Sequence, residues 1–220
     1  MGAPIKNFKK ENYTDEFIKE LYNKDWHNYH YDVFRQKNKN FGKILLEMYN
    51  WNSIIDFGCS VGSILEVFLE EKKVIKGYEY CYENCLESIK KIPNLEYYIE
   101  YGDVTKYLAN KTYDASISIE VAEHIPTEYS EMLVKNLVNS TNNIIIFTAA
   151  TPDQGGTGHI NCQEKEFWID LFEKNNCYYD KNETTNIKNK CIPTKKVENE
   201  DYPYIWEHVY KNLMVFKKLK

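Results

Sequence analysis

Residues 53–62 read S-I-I-D-F-G-C-S-V-G, an apolar run followed by an acid and a turn of small residues. Ile54 and Ile55 favour a buried strand. Gly58 and Gly62 allow a tight turn in which the backbone can come close to a ligand. The stretch therefore predicts a strand that leads into a ligand-binding turn.

The residues after this turn have helical spacing. Within residues 63–71, four apolar side chains fall on one face of a helix, and these are Ile64, Leu65, Phe68 and Leu69. The N-terminus of such a helix points at whatever the turn holds. Many turns of this kind only connect a strand to a helix, so the residues farther along the chain decide its meaning.

Length and composition limit the class of protein. The 220 residues and a hydrophobic content of 43% predict one domain with a sizeable core. No run of about 18 apolar residues occurs, so no membrane span is expected, and the N-terminus lacks the apolar segment of a secretory signal. The 6 cysteines include no C-x-x-C pair, so we expect reduced thiols and a cytoplasmic location.

Charge argues against one class of partner. The net charge is −5, and Arg35 is the only arginine. Arginine is the preferred reader of phosphate and guanine, and no dense stripe of lysines replaces it. Nucleic acid is therefore not expected as the substrate.

Strand and helix patterns alternate along the chain. After the first strand, we predict strands at residues 73–79, 95–99, 113–119, 143–148, 178–182 and 212–217. The predicted helices are residues 15–23, 32–48, 83–92, 105–109, 127–138 and 163–175. This alternation predicts a mostly parallel sheet with helices on both faces and an antiparallel pair at one edge. The polar residues 181–204 are expected to be an inserted or mobile segment.

Acids and small residues follow four of the predicted strands. Asp56 ends the first strand, Glu79 ends the second, Asp103 follows the third and Glu120 follows the fourth. In an open α/β sheet the ligand lies outside the carboxyl ends of the strands. A carboxylate at Glu79 can accept two hydrogen bonds from a ribose diol, and one at Asp103 can accept from an exocyclic amine.

These residues resemble the class I S-adenosylmethionine-dependent methyltransferases. Residues 56–62 are similar to the D-x-G-x-G-x-G motif of that family, with Ser60 in place of the middle glycine, and residues 120–125 have the E-V-x-E-H-I pattern of small-molecule members. The resemblance covers residues 40–150. A nicotinamide-binding Rossmann domain fits less well, because it expects G-x-G-x-x-G.

The resemblance implies a fold, a cofactor and a set of binding residues. It implies a doubly wound, mostly parallel, seven-stranded Rossmann-like sheet of order 3-2-1-4-5-7-6 whose last strand is antiparallel. It also implies S-adenosylmethionine as the cofactor and a single methyltransferase domain at 31–220. Residues 1–30 are expected to form a lid or helical extension, whose aromatic cluster at 26–31 either packs against the first helix or contacts the ligand. The implied cofactor-binding residues are Asp56, Gly58, Cys59, Ser60, Gly62, Glu79, Tyr80, Gly102, Asp103, Val104, Glu120 and Val121.

A glycine-rich loop follows the fifth predicted strand at residues 151–161 and is similar to loops of methyltransferases that modify sugars and glycans. Its polar tips are His159 and Asn161. A hydroxyl nucleophile benefits from a general base, and histidine suits that role near neutral pH. We expect His159 to contact the acceptor or act as the base, with His124 as the second candidate, and Asn161 to orient the acceptor hydroxyl.

The predicted function is O-methylation of a sugar or glycan with S-adenosylmethionine as methyl donor. The alternatives are methylation of another small molecule such as a phenol or quinone-like compound, and a non-catalytic cofactor-binding domain that serves a partner. No metal is expected, although Asp153, His159 and Glu120 could supply ligands. The sequence pattern favours no particular oligomeric state.

Overall fold

A seven-stranded sheet of order β3-β2-β1-β4-β5-β7-β6 runs through the middle of the protein. The computed structural model describes residues 14–191 and 205–219. Its strands are Ser53–Phe57 (β1), Val74–Glu79 (β2), Ile99–Tyr101 (β3), Tyr113–Ile119 (β4), Thr141–Thr148 (β5), Cys177–Tyr179 (β6) and Met214–Lys218 (β7). β1 to β5 pair in parallel, whereas β7 is antiparallel to both β5 and β6. The predicted fold class and strand order are confirmed.

Helices cover both faces of this sheet. They are Asp15–Leu21 (α1), Lys24–Tyr29 (α2), Arg35–Met48 (α3), Ser63–Glu70 (α4), Tyr82–Ile89 (α5), Ser130–Asn139 (α6), Lys165–Lys174 (α7), Lys181–Cys191 (α8) and Glu207–Asn212 (α9). A π-helical turn, His30–Phe34, connects α2 directly to α3. Among the described residues, no helix combines the length and apolar character needed to span a membrane.

The two faces of the sheet bury separate hydrophobic clusters. Ile54 belongs to the cluster under α3, α4 and α5, whereas its neighbour Ile55 belongs to the cluster under α6 and α7. Successive side chains of a strand point to opposite faces. The continuous apolar run of β1 is therefore explained by a strand that is buried on both sides.

The third strand begins later than predicted. Leu95–Tyr97 forms a 3₁₀ turn after Asn94, whose backbone is left-handed with φ of 67°, and β3 is Ile99–Tyr101. Leu95 is fully buried. Its apolar character therefore reflects packing into the core, and the prediction of a strand at 95–99 was wrong by a few residues.

The predicted helix at 105–109 is wrong. Asn136 on α6 is buried, and its Nδ2 donates to the carbonyls of Val104 at 3.1 Å and Lys106 at 2.7 Å. Its Oδ1 accepts from the amide of Leu108 at 2.7 Å. Because these backbone groups bond to a side chain instead of to one another, the segment after β3 forms a loop that begins with a turn at residues 103–106 and is fixed to α6.

The polar segment 181–204 is not an insertion over its first half. Lys181–Cys191 forms α8, whose Ile187 and Cys191 are buried, and the Tyr49 hydroxyl donates to Glu183 at 2.7 Å. One buried stripe on an otherwise polar helix carries too little apolar signal to reveal the helix. Residues 192–204 lie outside the described part of the chain, as do residues 1–13 of the predicted N-terminal extension.

Asn136 provides a test of this arrangement. Asn136→Ala removes the partner of three backbone groups that are buried or partly buried, so we expect the free energy of unfolding to fall by about 2–4 kcal/mol. Asn139→Ala, at the exposed end of the same helix, should change it by less than about 0.5 kcal/mol. Urea unfolding followed by circular dichroism measures both, and equal losses in the two variants would contradict the role of Asn136.

Candidate functional site

The candidate site lies at the carboxyl ends of β1, β2, β3 and β4, which meet at one edge of the parallel part of the sheet. The structure brings the turn after β1 together with Glu79 at the end of β2, because Glu79 bonds to that turn. Asp103 follows β3 and Glu120 follows β4. This edge is where open α/β sheets bind their ligands.

The turn after β1 has an unusual backbone. Gly58, Ser60 and Gly62 are left-handed, with φ of 85°, 48° and 73°. Glycine takes this conformation readily, whereas a residue with a Cβ atom costs roughly 1–2 kcal/mol there. Ser60 thus keeps the backbone shape that glycine favours, and its hydroxyl lies 3.3 Å from Nδ1 of His27 on α2.

Contacts with β2 and with the segment after β4 fix the turn. The amides of Gly58 and Cys59 both donate to the carbonyl of Tyr78, at 2.8 and 3.1 Å. A Cβ atom on Gly58 would collide with the methyl groups of Val121. Val121 therefore packs directly over the turn, and position 58 requires glycine for steric as well as conformational reasons.

Glu79 connects the turns that follow β1 and β2. Its Oε2 accepts from the amide of Ser60 at 2.9 Å, and its Oε1 accepts from the amide of Cys81 at 2.8 Å. Burial raises the pKa of this carboxyl, and the backbone amides partly oppose that rise. Each oxygen still has lone-pair capacity for a further donor, as a ribose diol would require.

Asp56 is a buried acid beside Glu79. It is 3% exposed, and its Oδ1 has no hydrogen-bond partner among the described residues. Burial raises its pKa well above the ordinary value, and the charge of Glu79 raises it further. A buried oxygen without a donor next to the turn fits a site that receives a donor or a positive charge from a ligand.

The turn after β3 holds Asp103. The amide of Gly102 donates to the carbonyl of Glu79 at 3.1 Å, so this turn is attached to the end of β2. The Oδ1 of Asp103 accepts from the amide and the hydroxyl of Thr105, at 2.9 and 2.6 Å. Val104 is buried behind it. Asp103 is thereby held in one orientation, half-buried at the rim of the site.

Helices α1 and α2, the first helices of the described chain, contact the candidate site. The hydroxyl of Tyr80, directly after β2, bonds to Asp15, and burial raises its pKa. The hydroxyl of Tyr22 lies 2.8 Å from Nδ1 of His124 and also donates to the carbonyl of Thr157 at 3.3 Å. Together with His27, these contacts place the helical segment against the ends of β1, β2 and β4, although its separation as a lid stays a prediction.

Glu120 begins the segment after β4 in a left-handed conformation, with φ of 54°, and its amide donates to the Thr148 hydroxyl at 2.8 Å. Its carboxylate accepts from Nε2 of Gln154 at 2.9 Å and from Nδ2 of Asn212 at 3.0 Å. Gln154 belongs to the glycine-rich loop and Asn212 ends α9. The sequence analysis identified Glu120 but neither of the residues that orient it.

The structure also collects Glu123, His124 and His159, called here the histidine cluster. One ligand atom from each lies within 4.8 Å of the others. The two imidazole rings meet edge to face with centroids 4.9 Å apart. Glu123 is 0% exposed, and burial together with the charge of Glu120 raises its pKa well above the ordinary value. The sequence analysis missed Glu123, although it stands inside the E-V-A-E-H pattern.

Both histidines of the cluster are neutral near pH 7. Burial lowers the pKa of His124 to about 3, and burial also lowers that of His159. Nδ1 of His124 lies 3.2 Å from the carbonyl of Gly158, and Nδ1 of His159 lies 3.2 Å from that of Gln154. A carbonyl only accepts, so we assign the proton to Nδ1 and the lone pair to Nε2 in both rings.

Asn161 is buried in the protein, whereas the sequence predicts that it lies at the tip of the loop and faces the acceptor. It is 2% exposed, and its Oδ1 accepts from the Thr127 hydroxyl at 2.7 Å and from Gln163 at 2.9 Å. Its Nδ2 donates to the carbonyl of Ala122 and to the Ser130 hydroxyl, at 3.2 and 3.0 Å. Because protein groups occupy both ends of the amide, we expect Asn161 to hold the loop in place, not to contact an acceptor.

A second group of metal-ligand residues, His27, Glu79 and Cys81, also lies within bonding range of one ion. Both oxygens of Glu79 already accept backbone hydrogen bonds, so that carboxylate is satisfied without a cation. The histidine cluster differs, because both oxygens of Glu123 are buried with no hydrogen-bond partner among the described residues. Of the two groups, the histidine cluster is therefore the better candidate for a metal.

Comparison with known proteins identifies the fold. No protein-family model and no curated protein matches the sequence. Among solved structures, magnesium protoporphyrin IX methyltransferase (ChlM) from Synechocystis with bound SAH aligns with a TM-score of 0.66 and 13% identity, over 94% of this chain and 100% of that one. The fold is thus that of the Rossmann-like methyltransferases.

Two further structures agree. A S-adenosylmethionine-dependent methyltransferase from Clostridium acetobutylicum aligns with a TM-score of 0.58 and 14% identity, over 90% of this chain and 98% of that one. An O-methyltransferase family protein from Burkholderia thailandensis aligns with a TM-score of 0.60 and 7% identity, over 93% of this chain and 61% of that one. At these identities the likeness concerns the fold alone.

The buried acid beside the turn yields a prediction. Burial and Glu79 raise the pKa of Asp56 in the folded protein, so ionisation at neutral pH opposes folding, and this cost disappears below the pKa of the unfolded chain. Asp56→Asn should therefore unfold at a higher urea concentration than the parent at pH 7 without ligand. The difference should shrink toward zero near pH 3, where both forms are uncharged.

Urea titrations of the two proteins at about pH 7, 5 and 3 measure this difference. Asp114→Asn is a useful control, because the Oδ2 of Asp114 accepts from the amides of Asn52 and Ser53 at 2.6 and 3.0 Å. That carboxylate has donors, so removing its charge should lower stability at pH 7. A parent that is more stable than Asp56→Asn at pH 7 would contradict the role assigned to burial.

Proposed function

We propose that this protein is a S-adenosylmethionine-dependent methyltransferase that methylates a hydroxyl group of a sugar or glycan. The observation that carries the first part is the left-handed turn after β1, flanked by Glu79 and Asp103, in a sheet of order β3-β2-β1-β4-β5-β7-β6. The methyltransferase fold of the structural neighbours supports it.

The residues at the site fit the cofactor. Glu79 accepts hydrogen bonds from the ribose hydroxyls, and Asp103 accepts from the adenine amine. Gly58 and Gly62 let the backbone approach the ligand, and the unpartnered Oδ1 of Asp56 adds an acceptor. Glu120, with Val121, lies at the methionine end.

The remaining proposed cofactor contacts lie around the turn after β1, Glu79 and Asp103. Cys59 and Ser60 complete the turn, Tyr80 and Gly102 stand at the ends of β2 and β3, and Val104 is buried behind Asp103. The acidic site suits a ligand that carries a positively charged sulfonium and amine. The described ion pairs do not include Asp56 or Glu79, so neither acid is already neutralised by a lysine or arginine within that part of the chain.

The bound cofactor supplies an activated methyl group, which forms a bond to the acceptor oxygen while its bond to sulfur breaks and leaves a neutral thioether. A hydroxyl is a weak nucleophile until it loses its proton. Nε2 of His159 carries a lone pair at neutral pH, so it can take that proton and later release it to water. His124 lies directly against His159 and packs behind it.

The polar character of the glycine-rich loop favours a sugar. Thr157 and Asp153 are exposed on this loop, and Gln154 carries its amide into the site. The rings of Tyr22 and Trp26 stand edge to face at 4.9 Å near the loop, and flat aromatic faces suit the C–H surface of a sugar. A phenol or quinone-like acceptor would bind better in a cavity lined by apolar side chains.

The 6 cysteines are all free thiols, which agrees with a cytoplasmic location.

Cofactor binding tests the first part of the proposal. Glu79→Ala removes the acceptor for two ribose hydroxyls, each bond to a charged group being worth about 1.5–3 kcal/mol, so the Kd for S-adenosylmethionine should rise at least roughly 30-fold. Asp103→Ala should raise it about tenfold. Isothermal titration calorimetry measures both, with Asp170→Ala on the exposed side of α7 as a control.

Circular dichroism establishes that each variant is folded before its affinity is compared. Unchanged affinity in both site variants would remove the assignment of the cofactor. Tight cofactor binding without turnover on any hydroxylated acceptor would instead favour a non-catalytic binding domain.

Turnover tests the role of His159. With the best acceptor from a panel of free sugars and sugar nucleotides, His159→Ala should lower kcat by roughly 100-fold or more, because a positioned general base contributes that much. The Kd for S-adenosylmethionine should change little, since the proposed cofactor contacts lie at the ends of β1, β2, β3 and β4 and do not include His159. Formation of S-adenosylhomocysteine measures turnover, and a kcat equal to that of the parent would remove the proposed role.

A further inference from the structure

Glu123 is a buried acid that, unlike Glu66 and Glu79, lacks a hydrogen bond of normal geometry on both carboxylate oxygens. Glu123 is 0% exposed, and neither carboxylate oxygen has a hydrogen bond of normal geometry within the described residues. The backbone amides of Glu123 and Ala150 lie near enough to oppose the rise in its pKa only in part. Glu66, which is also buried, binds Arg35 at 2.8 Å and Lys39 at 2.6 Å. A buried carboxylate without donors or cations is costly, so its retention at this place calls for a partner.

The neighbours of Glu123 are ligand atoms of the right kind. A ring nitrogen of His124, a ring nitrogen of His159 and a carboxylate oxygen of Glu123 lie within 4.8 Å of one another. Ligands bound about 2.0–2.2 Å from one ion are separated by at most about 4.4 Å. Three ligands evenly spaced around one ion are at most about 3.8 Å apart, so the side chains would move inward by less than about 1 Å to reach a common ion.

The hydrogen bonds around the cluster orient the two rings. Nδ1 of His159 donates to the carbonyl of Gln154, and Nδ1 of His124 donates toward the carbonyl of Gly158. The Tyr22 hydroxyl, 2.8 Å from Nδ1 of His124, adds a second partner on that side. Metal-binding histidines are commonly held in this way, with the nitrogen opposite the metal donating to a carbonyl or another oxygen.

We propose that Glu123, His124 and His159 bind one divalent transition-metal ion of the series from Mn²⁺ to Zn²⁺. Two imidazoles and a carboxylate favour these ions over Mg²⁺ and Ca²⁺, which prefer sites made only of oxygen ligands. Glu120, three residues before Glu123, adds negative charge to the same site. No motif in the sequence demands a metal, and the sequence alone did not single out Glu123 as a ligand.

The role of this ion in the reaction rests on the proposed function, whereas the proposal that the ion binds to the histidine cluster does not. A cation beside the acceptor would withdraw electron density from the acceptor hydroxyl and lower its pKa. His159 would then act as a metal ligand, and the hydroxyl proton would pass to water instead of to its imidazole. The methyl group would still move from sulfur to oxygen, with no change in the overall balance of the reaction.

Cobalt binding tests the proposal directly. The full-length protein, treated with a chelator and dialysed, is titrated with Co²⁺, whose visible absorption reports imidazole ligation. We expect about one Co²⁺ per chain in the parent and binding at least about tenfold weaker in Glu123→Gln and in His159→Ala. Glu131→Gln, on an exposed part of α6, should bind like the parent.

Two variants are used in case Glu123→Gln does not fold. His159 is only partly buried, so we expect His159→Ala to keep the folded core. A parent that binds no Co²⁺, or folded variants that bind it as the parent does, would overturn the proposal. S-adenosylmethionine binding is measured on the same samples. Cobalt binding without cofactor binding would leave the metal site standing while removing the proposed function, and the reverse result would remove the metal site alone.

Discussion

The carboxylate of Glu79 is the interaction on which the rest of the site depends. It accepts from the amide of Ser60 in one turn and from that of Cys81 in the next, so it connects the ends of β1 and β2. The Glu79 carbonyl in turn accepts from Gly102, which brings the end of β3 to the same place. Three separate turns are thereby attached to one residue, two through its carboxylate and one through its carbonyl.

The electrostatics at the carboxyl ends of the strands depend on where the nearby lysine and arginine side chains lie. Arg35 and Lys39 are committed to Glu66, where they join α3 to α4. Asp56 and Glu123 are buried with oxygen atoms that have no hydrogen-bond partner in the described chain. The strand ends therefore hold acidic groups whose ionised forms no lysine or arginine of the described chain stabilises. Such a site favours positively charged ligands on physical grounds, and a sulfonium cofactor and a divalent ion both meet that requirement.

The parts of this structure that could be predicted are those with local signals. Periodicity predicts β1, α4 and β4, and the rule that parallel strands end at one edge of the sheet predicts that Glu79 and Asp103 lie at the same edge. The third strand was misplaced because Leu95 is apolar for reasons of packing. Residues 105–109 were predicted as a helix because the sequence does not show that Asn136, some 30 positions away, takes over the hydrogen bonds of that segment.

The acceptor side was less predictable for the same physical reason. Glu120 is oriented by Asn212 at a sequence separation of 92 residues, and His124 contacts Tyr22 at a separation of 102 residues. Neither contact produces a periodic or local pattern in the amino-acid sequence. The proposed cofactor side is built from consecutive strand ends, whereas the proposed acceptor side is assembled from the end of α1, the segment after β4, the glycine-rich loop and the end of α9. Substitutions in any of these four segments can therefore change which acceptor is bound while the frame formed by Glu79 and its three turns remains intact.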